Sequence, residues 1–224
     1  MYSVPYSKSS EAMFYNKDIF DKYSLTVPTT WESMETLMAD IVNRVNPAEK
    51  QAFIEAGGKE DDWVDIVPLG YDSDANLFIT MCEQYGIPYT SIDRTEKKGK
   101  ADFNNAAAKA MVTKLSEWYD AGYIKTQGTS NGAYTSTEFT EKKLYMTIGS
   151  TGGTKYNFTN NFTVGTAAVP GPDKTNPFHF GGDETKLNDH LIMQGPSICF
   201  FKKASKEEKA AAWKFYKFIT RTTC

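Results

Sequence analysis

Histidine and cysteine are scarce in this 224-residue chain, two of one and three of the other, and their scarcity removes several kinds of chemistry. His179 and His190 have no neighbouring cysteine and no H-E-x-x-H spacing, so no metal site is expected. Cys82, Cys199 and Cys224 are far apart and form no C-x-x-C pair. An odd number leaves no complete disulfide framework. Cys82 and Cys199 lie within apolar runs and are expected as buried thiols. No apolar run approaches the roughly 18–20 residues of a membrane-spanning helix. The opening Met1-Tyr2-Ser3-Val4-Pro5 has neither the basic nor the long apolar region of a signal peptide. A net charge of -3 with acids and bases interspersed lacks the basic face that nucleic-acid binding demands. G-x-S-x-G, Walker and G-x-G-x-x-G motifs are all missing, and no cofactor is implied.

Aromatic residues are plentiful by contrast. They make up 14% of the chain, 13 of them tyrosine. Rings with a polar edge suit core packing, and they equally suit ligands that are part apolar and part hydroxyl, as sugars are.

Along the chain, helical and extended patterns alternate. Residues 2–15 read as extended, Asn16-Lys17-Asp18 starts a short helix, and Pro28 to Glu32 starts a longer one with Thr29 and Glu32 at capping-box spacing. Trp31, Met34, Leu37, Met38, Ile41 and Val45 follow at helical period until Pro47 ends the pattern. Residues 46–63 are polar and Gly-bearing, with an acidic stretch Glu60-Asp61-Asp62. Ile66 to Leu69 reads as a strand end, and helices are expected over 74–85, 104–121 and 205–220. Residues 90–102 suggest a charged hairpin. Further strands are expected at 144–148, 162–169 and 191–201, the last interrupted by Gly195-Pro196. The alternation gives an α/β class.

Two places could hold chemistry. Asp72 and Asp74 flank a helix start, where acids cap backbone amides, bind ligand hydroxyls, or form a glycosidase pair. Ser150-Thr151-Gly152-Gly153 is a small-residue turn after a strand. Such a turn exposes backbone N–H groups to a ligand or is a turn and nothing more; it is too short, and lacks the lysine, for a phosphate loop.

The order of several segments resembles a known family. Val4-Pro5-Tyr6-Ser7, then Tyr15-Asn16-Lys17-Asp18, then Pro28-Thr29-Thr30-Trp31 is similar to the extracellular solute-binding proteins of ABC transporters, the group that includes the maltose-, oligosaccharide- and glycerol-phosphate-binding types. Phe103-Asn104-Asn105 heading a helix that ends Trp118-Tyr119-Asp120-Ala121-Gly122, the stretch Phe139 to Ile148, Val164 to Gly171, and Ala211-Ala212-Trp213-Lys214-Phe215 extend the likeness over nearly the whole chain. At Lys143-Leu144-Tyr145 the chain departs from the family's usual small residues.

The resemblance implies an α/β, type II periplasmic-binding-protein-like fold of two lobes with ligand in the cleft between them, truncated here at both ends. Residues 1–163 would form most of the C-terminal lobe, and residues 164–224 a partial return segment of the N-terminal lobe. It implies capture of a carbohydrate, or alternatively of glycerol 3-phosphate or another polyol phosphate, and delivery to the transmembrane subunits of an ABC permease. The protein would be a monomer and no enzyme, outside the cell membrane, in the periplasm or lipid-anchored, its signal sequence lying outside this fragment. Ligand contacts are expected at Ser9, Ser10, Asp72, Asp74, Asn76, Ser150, Thr151, Gly152 and Gly195, with Trp63 as a stacking candidate. Many sugar binders of the family carry an aromatic residue where Gly152 or Gly153 stands here. From other classes, a glycoside hydrolase and a surface lectin remain as alternatives.

Overall fold

The computed structural model describes residues 3–221. Cys224, and Tyr2 at the start of the expected extended segment, lie outside them. The described residues contribute nine strands: β1 Ser3–Pro5, β2 Glu11–Asn16, β3 Val67–Tyr71, β4 Thr90–Asp93, β5 Lys98–Ala101, β6 Ile124–Thr126, β7 Leu144–Ser150, β8 Val164–Ala167 and β9 Ser197–Cys199. Five of them form the main sheet in the order β6-β3-β7-β2-β8. β3 runs parallel to β6 and β7, while β2 runs antiparallel to β7 and β8. β4 and β5 form the expected hairpin, and β1 pairs with β9 in a separate two-stranded ribbon.

The helices are α1 Lys17–Tyr23, α2 Trp31–Asp40, α3 Asn46–Glu55, α4 Asp74–Gln84, α5 Ala106–Asp120, α6 Thr135–Thr140 and α7 Lys206–Ile219. Apolar faces of α2, α4 and α5 pack on one side of the sheet. There Trp31, Met38, Met81, Met111 and Trp118 meet Met13, Leu69 and Met146. On the other side Phe14, Phe139, Leu144 and Phe162 form a smaller cluster. β2 therefore alternates Met13 and Phe14 between two cores, and central β7 is buried at six of its seven positions, as a strand covered on both faces must be.

Local chemistry sets the helix ends, in places differently from the sequence reading. The capping box of α2 uses Thr30 and Ser33, one residue later than expected. Glu32 is then free to accept from Tyr85 Oη (2.8 Å) and from the amides of Phe178 (2.7 Å) and Asp173 (2.8 Å). Pro47 does not end the helical path, which continues through α3. A π-helical turn, Ile41–Val45, precedes it. Proline has no N–H to offer and its ring crowds the carbonyl four residues back; the wider π turn and a place in the first turn of α3 relieve both. Asn105 caps α5. Its Oδ1 accepts the Ala108 amide (2.9 Å), and its Nδ2 donates to the carbonyls of Pro88 and Asp102 (2.8 Å each). Asn105→Ala should lower stability by about 1–2 kcal/mol, measured as the urea midpoint; an unmoved midpoint would contradict this account of the helix start.

Of the long strand expected over 191–201, only Ser197–Cys199 is extended in a ladder. Gly195 bends the chain ahead of it: its φ is +108°, and a Cβ there would lie 2.1 Å from Ser7 O. Cys199 is exposed rather than buried, because the β1–β9 ribbon buries none of the residues of β9. Cys82 is buried in α4, and burial pushes its thiol up to about 12.

The expected division after residue 163 does not coincide with a break in packing. β8 is a strand of the main sheet, and Phe178, Phe180, Leu187 and Leu191 pack on the main core. The chain leaves that core only near residue 192, where Ser9 and Gln194 exchange backbone hydrogen bonds (3.0 and 2.8 Å). α7 beyond it has no buried residue, and Phe201, Trp213 and Phe215 are exposed.

Candidate functional site

The sheet topology gathers three distant segments at one edge. β3 and β7 are parallel, so both end on the same side; antiparallel β2 begins there. Asp72 follows β3, Ser150 ends β7, and Ser9 and Ser10 lead into β2, where Glu11 stands opposite Ser150. The links are short. Ser150 Oγ donates to Ser9 Oγ at 3.2 Å. The Asp72 amide donates to Ile148 O at 2.9 Å. A Cβ at Gly149 would sit 3.3 Å from Asp72 Cβ, so glycine there lets the two strand ends approach. Beside them lies a cleft of about 520 Å³ lined by Asp72, Tyr134, Thr135, Ser150, Tyr156 and Asn157 among others. Its size suits a small ligand, and its place outside the carboxyl ends of parallel strands is where open α/β sheets hold ligands.

Of the ten residues singled out in the sequence, Asp72 and Ser150 line this cleft. Ser9 and Gly152 stand at its border, a Cβ at Gly152 lying 3.7 Å from Ser9 Cβ. Ser10 and Thr151 are occupied with each other and with the segment at Ile192. Thr151 donates its amide to Ser10 O (2.8 Å), Ser10 donates its amide to Thr151 Oγ1 (3.1 Å), and Ser10 Oγ donates to Ile192 O (3.2 Å). The Gly152 amide donates to Ser150 Oγ (3.2 Å). These two turn amides are thus satisfied within the chain instead of being offered to a ligand, because the turn closes on Ser10 ahead of β2 and on its own cap, Ser150. Gly195 shapes the crossing of the chain and accepts from Lys8 Nζ (3.1 Å). Asn76 turns to Glu11, donating from Nδ2 at 2.9 Å.

Asp74 and Trp63 are placed elsewhere. The Asp74 carboxylate accepts from Thr126 Oγ1 and from the Gly128 amide, holding the loop after β6. Ser73, between the two aspartates, is the N-cap of α4. Trp63 precedes β3 and so lies at the end of that strand remote from Asp72. Its ring packs on Phe53 (5.6 Å between centroids) and its Nε1 donates to Asp65 (2.7 Å).

The residues missed in the sequence are the rings. Tyr134 and Tyr156 are 60% and 63% exposed and both line the cleft, one before α6 and one in the 3-10 turn Thr151–Asn157. They supply the aromatic faces that Gly152 and Gly153 do not. The abundance of tyrosine was a signal for such rings, but nothing local distinguished these two. Glu11 was also missed; it is buried and accepts from Tyr71 Oη as well as Asn76.

Asp72 accepts from the amide and hydroxyl of Thr135 through Oδ1 (3.2 and 3.3 Å). Burial raises its pKa above 3.8, and those two hydrogen bonds oppose the rise. Its folded pKa is raised, so its contribution to stability is fullest below the unfolded value and is lost as pH rises through the folded one.

The family model described as bacterial extracellular solute-binding protein matches residues 1–223. No curated protein matches the chain. Among solved structures, maltose-bound MalE3 of T. maritima is 18% identical with a TM-score of 0.64, the match covering 98% of this chain and 50% of that one. UgpB from Mycobacterium tuberculosis in complex with glycerophosphocholine is 19% identical with a TM-score of 0.63, over 98% of this chain and 47% of that one. The GacH receptor of Streptomyces glaucescens, studied unliganded and with acarbose, is 17% identical with a TM-score of 0.62, over 99% and 49%. The chain thus spans about half the length of these structures and shares their fold.

Proposed function

Because the chain belongs to the bacterial extracellular solute-binding proteins, we propose that it forms the solute-holding part of an ABC importer's receptor, with a carbohydrate as cargo. The observation that carries this reading is the cleft in which Asp72, Ser150, Tyr134 and Tyr156 meet. Flat rings cover the apolar faces of a sugar, while a carboxylate and hydroxyls take its hydroxyl groups. The maltose-bound and acarbose-bound relatives support a saccharide, and the glycerophosphocholine complex keeps a polyol phosphate as the second reading.

In this account the five-stranded unit belongs to the C-terminal lobe, and the β1–β9 ribbon with α7 to the other. The two crossing segments near Ser9 and Gln194 would be the hinge. Ligand would favour the closed arrangement by binding it more tightly than the open one. The role is capture without turnover: Asp72 and Asp74 serve different partners and form no facing pair. The partner would be an ABC permease and the place of action outside the cell membrane, with or without a lipid anchor. Among the described residues no helix is long and apolar enough to cross a membrane.

Calorimetric titration with mono- to trisaccharides and polyol phosphates tests the site. Binding should weaken about three- to tenfold in Tyr156→Ala, the loss expected of one stacked ring. Binding that Tyr156→Ala leaves unchanged would place the ligand elsewhere. Affinity should also fall on acidification, beginning above the pH at which an ordinary aspartate protonates, because burial raises Asp72 and the neutral acid is a poorer acceptor. A flat profile would remove Asp72 from the contact.

A further inference from the structure

Asp72 does not stand in the cleft unsupported. Its Oδ1 accepts from both the amide and the hydroxyl of Thr135 (3.2 and 3.3 Å), and the Thr135 hydroxyl lies 2.8 Å from that of Thr147. Both threonines are buried and both line the cleft. A threonine hydroxyl has one hydrogen to give. Thr135 gives its own to the carboxylate, so Thr147 donates to Thr135. The result is a hydrogen-bond chain with a direction, Thr147 to Thr135 to Asp72 Oδ1. It runs from the middle of β7, through the first residue of α6, to the residue that follows β3.

The sheet is shaped to admit this chain. Thr147 stands opposite Gly70 in the β3–β7 pairing. A Cβ at Gly70 would lie 2.9 Å from Thr135 Cβ and 2.5 Å from Leu144 Cδ1, so glycine there lets Thr135 approach the strands. Asp72 Oδ2 is treated differently. Among the described residues no hydrogen bond reaches it, since Thr135 uses Oδ1 alone. It lies on the side of Gly149, another lining residue, where a Cβ would be 3.7 Å away.

No other charge holds this carboxylate. The described residues that line the cleft include no second acid and neither lysine nor arginine. On the elements packed around it, Asp74 is held by Thr126 and Gly128, Glu11 by Tyr71 and Asn76, and Glu138 of α6 by Lys125. Burial pushes the Asp72 carboxyl up, and the two bonds from Thr135 are what oppose the rise.

We propose that Thr135, ordered by Thr147, is the positioning residue of this site: it fixes one oxygen of Asp72 against α6 and leaves the other for the solute. The assignment rests on the cleft being the solute site, but the hydroxyl chain itself can be tested without a ligand.

The test separates positioning from packing. Thr135→Val keeps the shape and the amide and removes the hydroxyl. It leaves the Thr147 hydroxyl buried without its partner and should lower the urea midpoint. Thr135→Val combined with Thr147→Val removes both ends and should return the midpoint most of the way, because apolar groups of the same shape then replace a matched pair. The Asp72 carboxyl, followed by NMR through a pH titration, should titrate higher in Thr135→Val and stay higher in the double variant, whereas Thr135→Ser should return it to the parent value. Calorimetric binding of maltose, glucose and glycerol 3-phosphate should follow the carboxyl and not the midpoint. Any probe that binds should do so about three- to tenfold more weakly in both valine variants, the loss of one hydrogen bond, and recover in Thr135→Ser. Binding that recovers with the midpoint in the double variant overturns the proposal and makes the pair structural. An Asp72 titration that is alike in all variants overturns it too. If the carboxyl shifts as expected but no probe binds, or a probe binds indifferently to Asp72→Ala, the reading of the cleft as the solute site is what fails, and the positioning role falls with it.

Discussion

Trp31→Ala is expected to cost the fold about 3–5 kcal/mol, the range for removing a fully buried large aromatic side chain. Trp31 is 0% exposed. Its ring lies 6.4 Å from that of Trp118, and its Nε1 donates to Gln84 Oε1 at 2.6 Å. The substitution opens a void between α2, α4 and α5, and it strands one end of an amide that is itself completely buried. Gln84 also donates from Nε2 to Pro170 O (3.2 Å), so the same residue ties the helical layer to the segment after β8. Trp31→Phe keeps most of the volume and should lose appreciably less. Urea unfolding followed by circular dichroism separates the two; equal losses would mean that the hydrogen bond, and not the packing, dominates.

The second large effect concerns the site. Asp72→Ala should weaken saccharide binding about 10- to 100-fold, as expected for removing a hydrogen bond to a charged acceptor. Asp74→Ala should change binding little, because its carboxylate faces Thr126 and Gly128. The contrast between two aspartates two residues apart is sharp. Comparable losses at both would show that the helix start as a whole, and not Asp72, matters to the ligand.

These two aspartates also illustrate what the sequence could and could not reveal. The apolar face of α2 and the positions of α4, α5 and α7 were legible, because each depends on residues within a few turns. Ser9, Asp72 and Ser150 were named together through the family resemblance, and their meeting at one edge agrees with the rule for open α/β sheets. Which way a side chain points was not. Asp72 and Asp74 look equivalent along the chain, yet one bonds to Thr135, 63 residues away, and the other to Thr126, 52 residues away. The Thr151 amide looked available because its acceptor, Ser10 O, becomes a neighbour only when β2 pairs with β7, whereas the Gly152 amide is taken locally by Ser150 Oγ. Tyr134 and Tyr156 likewise reach the cleft through packing of α6 and the 3-10 turn against β7.

Pro47 and the region after residue 163 show a further limit. Proline was read as a helix end, but a π turn has no sequence signature as plain as the proline it accommodates. The resemblance suggested a change of lobe at residue 164, whereas β8 adds a fifth strand to the main sheet and residues 178–191 return to its core. Long-range return of the chain is set by surfaces that meet in three dimensions, and only Gly195, with its left-handed backbone and its approach to Ser7, marks where the chain leaves.

The most direct measurement of the central claim is an amide chemical-shift map of the protein during titration with a saccharide that raises its melting temperature. The largest changes should fall at Asp72, at Tyr134 to Thr137 and at Gly149 to Asn157, with smaller ones at Ser9 and Ser10. Changes concentrated instead around Phe78, Phe103 and Val112, which line a separate surface groove, or no saccharide-induced change at all, would contradict the assignment of the cleft as the solute site.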